Sequence, residues 1–299
     1  MIIQSINNLN EGLFGQIILY IFEILPILEK KNIDISKINW EISTLSYGNI
    51  FPDILEYNTN YIEENKKHKI PLDLFRLQKP QYVLGDNFHK LNKLFFKYFS
   101  IPEKLNKFAN DLKLQNFLGI HFRGTDKTTD NAMNTSLSKK DFYIIIDEYI
   151  KLNKINCIFI ATDENDIFDY FNNKYVNIEF KSSRNFKNNL FWRNNNNKSL
   201  NAKEAMIDML CLSKCKKVIK ISSALSSFAK IINPDLEIYR LNALKMFTDI
   251  PYFPDAYIPL FEKNNNYSKE CNNIIDKIQN NNWSYKYQKY FNNFYYKER

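Results

Sequence analysis

Apolar residues along this chain gather into short runs with polar ends, and their spacing predicts alternating strands and helices. The opening Ile2-Ile3-Gln4-Ser5-Ile6 predicts a strand, followed by a loop over 7–15, an apolar helix over about 16–30 and a strand over 38–42. This is a βαβ unit whose glycines, Gly12 and Gly15, fall at the strand-to-helix turn. There backbone N–H groups can approach a ligand, or the glycines can simply shape the turn. Residues 50–80 lack periodicity and contain Pro52, Pro71 and Pro80, which predicts irregular structure with short helices. Helical spacing returns over 88–99 and 102–114, the second opened by Pro102 in its first turn.

From residue 116 the alternation sharpens. The pattern predicts strand 117–122, helix 138–153 with Ser138 and Asp141 as a capping box, strand 156–162 and helix 165–173. Strand 176–180, helix 202–214, strand 217–221, helix 223–232 and strand 236–240 complete it. Repeated βα units with apolar strands predict a doubly wound, mostly parallel sheet, so the fold class is α/β. A length of 299 residues suits two domains. We place them at 1–115 and 116–245, with a helical tail over 246–299 packing back on the body. The segment Trp283–Arg299 interleaves aromatic side chains with lysines. It can dock on the protein or make a peripheral contact with a membrane surface.

Composition narrows the partners. A formal charge of +8 favours an acidic partner: a nucleotide, a nucleic acid or an anionic membrane surface. The lysines and arginines are spread along the chain rather than concentrated on one element, which argues against nucleic acid. Cys157, Cys211, Cys215 and Cys271 have no framework spacing and read as reduced core thiols of a cytoplasmic protein. The histidines, His68, His89 and His121, are far from Cys211 and Cys215 in sequence, so no metal is expected. No basic-then-apolar leader opens the sequence, and the apolar stretch Ile17–Leu28 is too short to span a bilayer.

Polar side chains recur at the carboxyl ends of the strands of the second half, where open α/β sheets bind ligands. His121, Arg123, Asp126 and Lys127 follow the strand Phe117–Phe122, Asp163 and Glu164 follow the next, and Ser222, Ser223, Ser226 and Ser227 follow Val218–Ile221. Asp208 interrupts an apolar helix face and must find a partner or a cleft. The set suits a nucleoside diphosphate. Arg123 offers a bidentate cation, the serines offer hydroxyls and a helix start, and a carboxylate can grip ribose or base. Each residue also has a plainer reading: a surface Arg–Asp pair, a core histidine at 121, or helix caps at Asp163 and Ser222–Ser223. Neither a Gly-x4-Gly-Lys-Ser/Thr loop nor an Asp-x-Asp after an apolar strand is present, so cationic side chains would replace a metal at the leaving group.

Three ordered motifs resemble the fucosyltransferase superfamily that includes the α-1,6-, nodulation-type, α-1,2- and protein O-fucosyltransferases. They are His121-x-Arg123-x-x-Asp126-Lys127, then Ile160-Ala-Thr-Asp163-Glu164, then Asp208-x4-Ser213 followed by an apolar strand and Ser222-Ser223. The resemblance covers roughly 116–232, with Gly12-Leu-Phe-Gly15-Gln16 a weaker echo. It implies two Rossmann-like domains facing a cleft (GT-B) and inverting, metal-independent transfer of fucose, or a related sugar, from GDP-fucose to a glycan or lipid-linked saccharide. Arg123 would bind the diphosphate, His121 would line the donor site, Asp208 would hold guanine and Ser222 or Ser223 the phosphates. Lys127 joins the catalytic set, and Asp126 and Asp130 are the candidate bases. Two positions depart from the α-1,6 enzymes: Gly124 stands where they carry a second arginine, and Asn131 where they carry a glutamate. A donor with another nucleotide, and a non-catalytic relative, stay open as alternatives.

Overall fold

The computed structural model describes residues 2–4, 13–19, 25, 39–41, 51–58, 69–71, 87–124, 137–184, 198–242 and 254–280. In the first part, strands β1 (Ile2–Gln4), β2 (Asn39–Glu41) and β4 (Lys69–Pro71) form a parallel sheet in the order β2-β1-β4. Helix α1 (Leu13–Leu19) starts three residues before the predicted helix, so Gly15 is a buried helical residue rather than part of the preceding turn. Within the proline-containing stretch lie a short helix α2 (Phe51–Ile54) and a two-residue strand β3 (Glu56–Tyr57). β3 pairs antiparallel with β5 (Phe99–Ser100), a contact of high sequence separation that local periodicity does not signal. Helices α3 (Phe88–Tyr98) and α4 (Glu103–Asp111) fall where predicted, with Pro102 at the N-cap of α4 rather than inside it.

The second part follows the predicted alternation closely. Strands β6 (Leu118–Phe122), β7 (Cys157–Thr162), β8 (Glu179–Lys181), β9 (Lys217–Lys220) and β10 (Glu237–Arg240) form a five-stranded parallel sheet. Its order is β10-β9-β6-β7-β8. Between the strands run α5 (Lys139–Asn153), α6 (Asn165–Lys174), α7 (Lys198–Lys214) and α8 (Ala224–Ile232), and α9 (Lys269–Gln279) comes last. Ser138 caps α5 as expected, its hydroxyl accepting from the Asp141 N–H at 3.1 Å.

Both faces of this sheet are covered, which is why its central strands β6 and β7 are mostly apolar and almost wholly buried. On one face Leu118, Ile120, Ile158, Ile160 and Ile219 pack with Phe142 and Ile146 of α5, Ile167 and Phe171 of α6, and Ile275 of α9. On the other, Val218, Phe159 and Ile238 pack with Met206 and Leu210 of α7 and Phe228 of α8. Gly119 lets α7 come close: a Cβ there would lie 2.9 Å from Val218 Cγ2 and 3.2 Å from Leu212 Cδ2. The same cluster takes in Phe14 and Ile17 of α1, Leu91 and Phe95 of α3 and Leu105 of α4, so the core is continuous past residue 115. Phe95 sits edge-on to Phe228 with ring centroids 5.4 Å apart. The four cysteines are unbridged, three of them buried. Among the described residues no helix is long and apolar enough to cross a membrane.

Candidate functional site

Strand order places the site. From β6 the chain proceeds outward through β7 and β8, then returns to the other side of β6 for β9 and β10. The order therefore reverses between β6 and β9, and the crevice beyond their carboxyl ends is where ligands bind in such sheets. The residues that follow those two strands are Arg123 and Ser222–Ser223. Asp163 follows β7 on the adjacent position. The structure thus brings three predicted groups to one edge. Gly12, Asp126, Lys127, Asp130 and the aromatic tail lie outside the described residues.

The loops after β6 and β7 are tied together. The Gly124 N–H donates to Asp163 Oδ1 at 3.1 Å. Glu164, not Asp163, occupies the N-cap of α6, and its side chain makes no capping bond. Instead the Glu164 carboxylate folds back over Gly124 and pairs with Lys139 of α5. A Cβ at Gly124 would collide with Glu164 Oε1, lie 2.6 Å from its Cδ and 3.0 Å from Phe122 Cε1. A larger residue at 124 would therefore have to displace the Glu164 carboxylate from its place beside Lys139. Burial pushes the Glu164 carboxyl above the usual glutamate range, with Lys139 opposing it.

Asp208 is buried on α7 and has found partners. Arg184, just past β8, donates to Asp208 Oδ2 through Nε at 2.9 Å and Nη2 at 2.6 Å, and the Ser183 hydroxyl donates to Oδ1. Burial alone would lower the Arg184 guanidinium; the Asp208 charge more than offsets that and holds it above its ordinary value. The Arg184 side chain stays 18% exposed, so it presents a cation at the same edge of the sheet.

Around β9 and α8 the geometry is denser. In register across β6, β9 and β10 lie His121, Lys220 and Arg240, three basic residues in one row. They share the sheet face of Val218 and Ile238, two residues back, which is the face α8 covers. Ser226 of α8 places its hydroxyl 3.0 Å from His121 Nδ1. Lys220, fully buried, donates to the Ser223 carbonyl at 3.0 Å, to Ser227 Oγ at 2.7 Å and to Asp255 of the 3₁₀ turn Pro254–Tyr257. Asn242, after β10, accepts from the Ser222 N–H at 2.7 Å and, through its carbonyl, from the Ser222 hydroxyl at 3.3 Å. Ser223 holds the N-cap position of α8, yet its hydroxyl makes no capping bond and has no partner among the described residues. Both serines had a plain capping role open to them, and neither takes it.

Sequence reading missed Arg184, Lys220, Arg240, Asn242 and Asp255. The strand-end rule that found Arg123 applies equally to Arg184 after β8 and to Arg240 and Asn242 at the end of β10. Lys220 and Asp255 carry no local signal, because they are paired across 35 residues of sequence. Among the described residues no three His, Cys, Asp or Glu side chains cluster closely enough to hold a metal ion.

No family model matches the sequence, and no curated protein is similar enough to count as a match. Solved structures do match. The chain is similar to fucosyltransferase NodZ from Bradyrhizobium, with 12% identity and a TM-score of 0.50 over 82% of this chain and 94% of that one. It is also similar to the apo form of POFUT1, at 9% identity and TM-score 0.49 over 80% and 97%. A NodZ α-1,6-fucosyltransferase crystal soaked with GDP-fucose matches at 12% identity and TM-score 0.48 over 78% and 92%. The α/β fold of this chain is that of the Bradyrhizobium fucosyltransferase.

Proposed function

We propose that this protein is an inverting glycosyltransferase that moves fucose, or a related sugar, from a GDP-sugar to a glycan hydroxyl. The observation that carries the reading is the convergence of Arg123, Asp163 and Ser222–Ser223 on the switch point between β6 and β9. The shared fold with a fucosyltransferase, and the three ordered motifs over 116–232, support the same reading. The diphosphate would lie across that crevice, Arg123 on one side and the N-terminus of α8 on the other. The helix end favours negative charge, and an arginine can take two phosphate oxygens at once. As the acceptor oxygen attacks the anomeric carbon, the bond to the β-phosphate breaks and its charge grows. Fixed cations and N–H groups that meet that charge lower the barrier without a metal ion. The acceptor proton passes to a carboxylate, Asp126 or Asp130. The acceptor would approach from the side of residues 1–115.

Base preference is where a second reading enters. Both Asp208 oxygens already accept from Ser183 and Arg184, so a guanine would have to share or displace those bonds. Competition among GDP, UDP, CMP and ADP, followed by GDP-fucose turnover with glycan acceptors, tests the proposal. GDP preference with release of GDP is the expected result. A preference for UDP would replace the donor, and binding without any transfer or hydrolysis would reduce the protein to a nucleotide-binding relative.

A further inference from the structure

Among the described residues, every buried side-chain polar atom that lacks a hydrogen bond, Glu164 Oε2 apart, belongs to one of four residues around the end of β10 and the start of α8. They are Ser223 Oγ, Arg240 Nε and Nη1, Asn242 Nδ2 and Asp255 Oδ2. Buried donors normally find acceptors, and leaving them unmet is costly. Four of these atoms are donors and one is an acceptor, so the site as it stands asks for oxygen atoms.

The charges point the same way. Lys220 and Asp255 are each 0% exposed and Arg240 is 3% exposed. Asp255 spends one oxygen on Lys220 and Ser227, leaving one carboxylate against two buried cations. Among the described residues an ammonium and a guanidinium are thus kept out of water beside one carboxylate, a setting that favours a further anionic group. Burial pulls the Arg240 guanidinium below its ordinary range, and Asp255 offsets only part of that. The residues are also contiguous: Arg240 is the register partner of Lys220, and Asn242, two residues on, holds the Ser222 backbone.

We infer that Arg240, Ser223 and Asn242, backed by the Lys220–Asp255 pair, form a buried anion subsite that takes phosphate oxygens of the nucleoside diphosphate. For the identity of its anion this inference rests on the function proposed above. Arg240 then binds the diphosphate from beneath α8. Lys220 is a positioning residue: by holding the Ser223 carbonyl it leaves the Ser223 hydroxyl available to the anion. The site is one of built-in imbalance, in which the protein alone carries the cost and the ligand relieves it.

Arg240→Met tests this, because it predicts opposite signs for binding and stability. Titration calorimetry with GDP, pyrophosphate, phosphate and guanosine would be run on the full chain, together with thermal unfolding without ligand. The variant should lose about tenfold or more in GDP and pyrophosphate affinity, the worth of charge-assisted hydrogen bonds. Its guanosine affinity should be unchanged, and its melting temperature equal to or above that of the wild type. Retained GDP affinity with a lowered melting temperature would make Arg240 a structural residue and overturn the inference while leaving the nucleotide reading in place. Should Arg240→Met fail to fold, Ser223→Ala serves instead: its hydroxyl makes no hydrogen bond among the described residues, so the fold should hold while pyrophosphate affinity falls about fivefold, and unchanged binding would refute the subsite. A wild type that binds pyrophosphate through Arg240 but no nucleoside diphosphate would keep the subsite and sink the sugar-nucleotide proposal. A wild type that binds neither would end the inference.

Discussion

Two buried carboxylates, Asp147 and Asp255, sit on opposite faces of the five-stranded sheet, and they are treated very differently. Asp147 on α5 accepts from the Tyr170 hydroxyl at 2.7 Å, from the Tyr175 hydroxyl at 2.6 Å and from Lys174. Both its oxygens are used, and the Tyr143 and Tyr170 rings stack at 3.8 Å to close the cluster. Asp255 uses one oxygen, for Lys220 and Ser227, and around it stand the unmet donors of Arg240, Ser223 and Asn242. A complete network rigidifies a core, whereas an incomplete one leaves buried polar groups at a cost, and it is this second network that the inferred anion subsite would complete. Satisfaction of the polar groups, rather than their presence, separates structure from site in this protein.

The sharpest way to break that contrast is to remove each carboxylate. Asp255→Ala strands a fully buried ammonium and should cost about 3–5 kcal/mol in denaturant unfolding. Asp147→Ala should cost less, about 1–3 kcal/mol, because the Lys174 side chain is 39% exposed and can turn to water. Equal losses, or the reverse order, would show that exposure of the cation does not decide the cost. Asp147→Ala should also leave GDP affinity untouched.

Between those two in size is the effect on chemistry. Arg123→Ala should slow transfer about a hundredfold, roughly 3 kcal/mol of transition-state stabilisation, while changing unfolding little. Near-normal transfer by that variant would remove Arg123 from the diphosphate. A loss of stability as large as that of Asp147→Ala would place Arg123 with the structural cluster instead.

The layout of the second half was legible because both faces of its sheet are covered. Runs such as Cys157–Thr162 and Leu118–Phe122 are mostly apolar, and the helices between them keep their spacing and, at Ser138, their cap. The first half was legible in outline only. The pairing of β3 with β5 depends on a contact distant in sequence, and α1 starts earlier than its apolar spacing predicts. At the carboxyl edge of the sheet, the strand ends alone pick out Arg123, Asp163 and the serines, which the structure places side by side there. Lys220 stayed hidden because a lysine closing the run Lys217–Lys220 looks like a solvated end, and only the 3₁₀ turn that supplies Asp255 allows it to be buried. Gly124 stands where the α-1,6 enzymes that the motif resembles carry a second arginine. In the structure the Glu164 carboxylate packs over that position.

That pair gives a smaller test, coupled through contact. Gly124→Ala should cost about 1–3 kcal/mol by overpacking against Glu164 and Phe122. Adding Glu164→Ala should recover part of it, a coupling of about 1 kcal/mol that additive losses would disprove.

The smallest effect is in pH dependence, and it separates Glu164 from the satisfied cluster of Asp147. Burial, the dominant cause, raises the Glu164 carboxyl in the folded protein despite Lys139. A carboxyl raised on folding binds more proton in the native state, so its contribution makes stability fall as pH climbs. The fall begins near the unfolded value, about 4.3, and ends once pH passes the raised folded value. Glu164→Gln removes this contribution, and the stability difference between wild type and variant should drift across that window in favour of the variant at the upper end. Unfolding curves collected from about pH 4 to 7 measure it. A constant difference, or a drift favouring the wild type, would mean that Lys139 rather than burial governs Glu164, and that its carboxylate belongs with Asp147 among the fully satisfied groups.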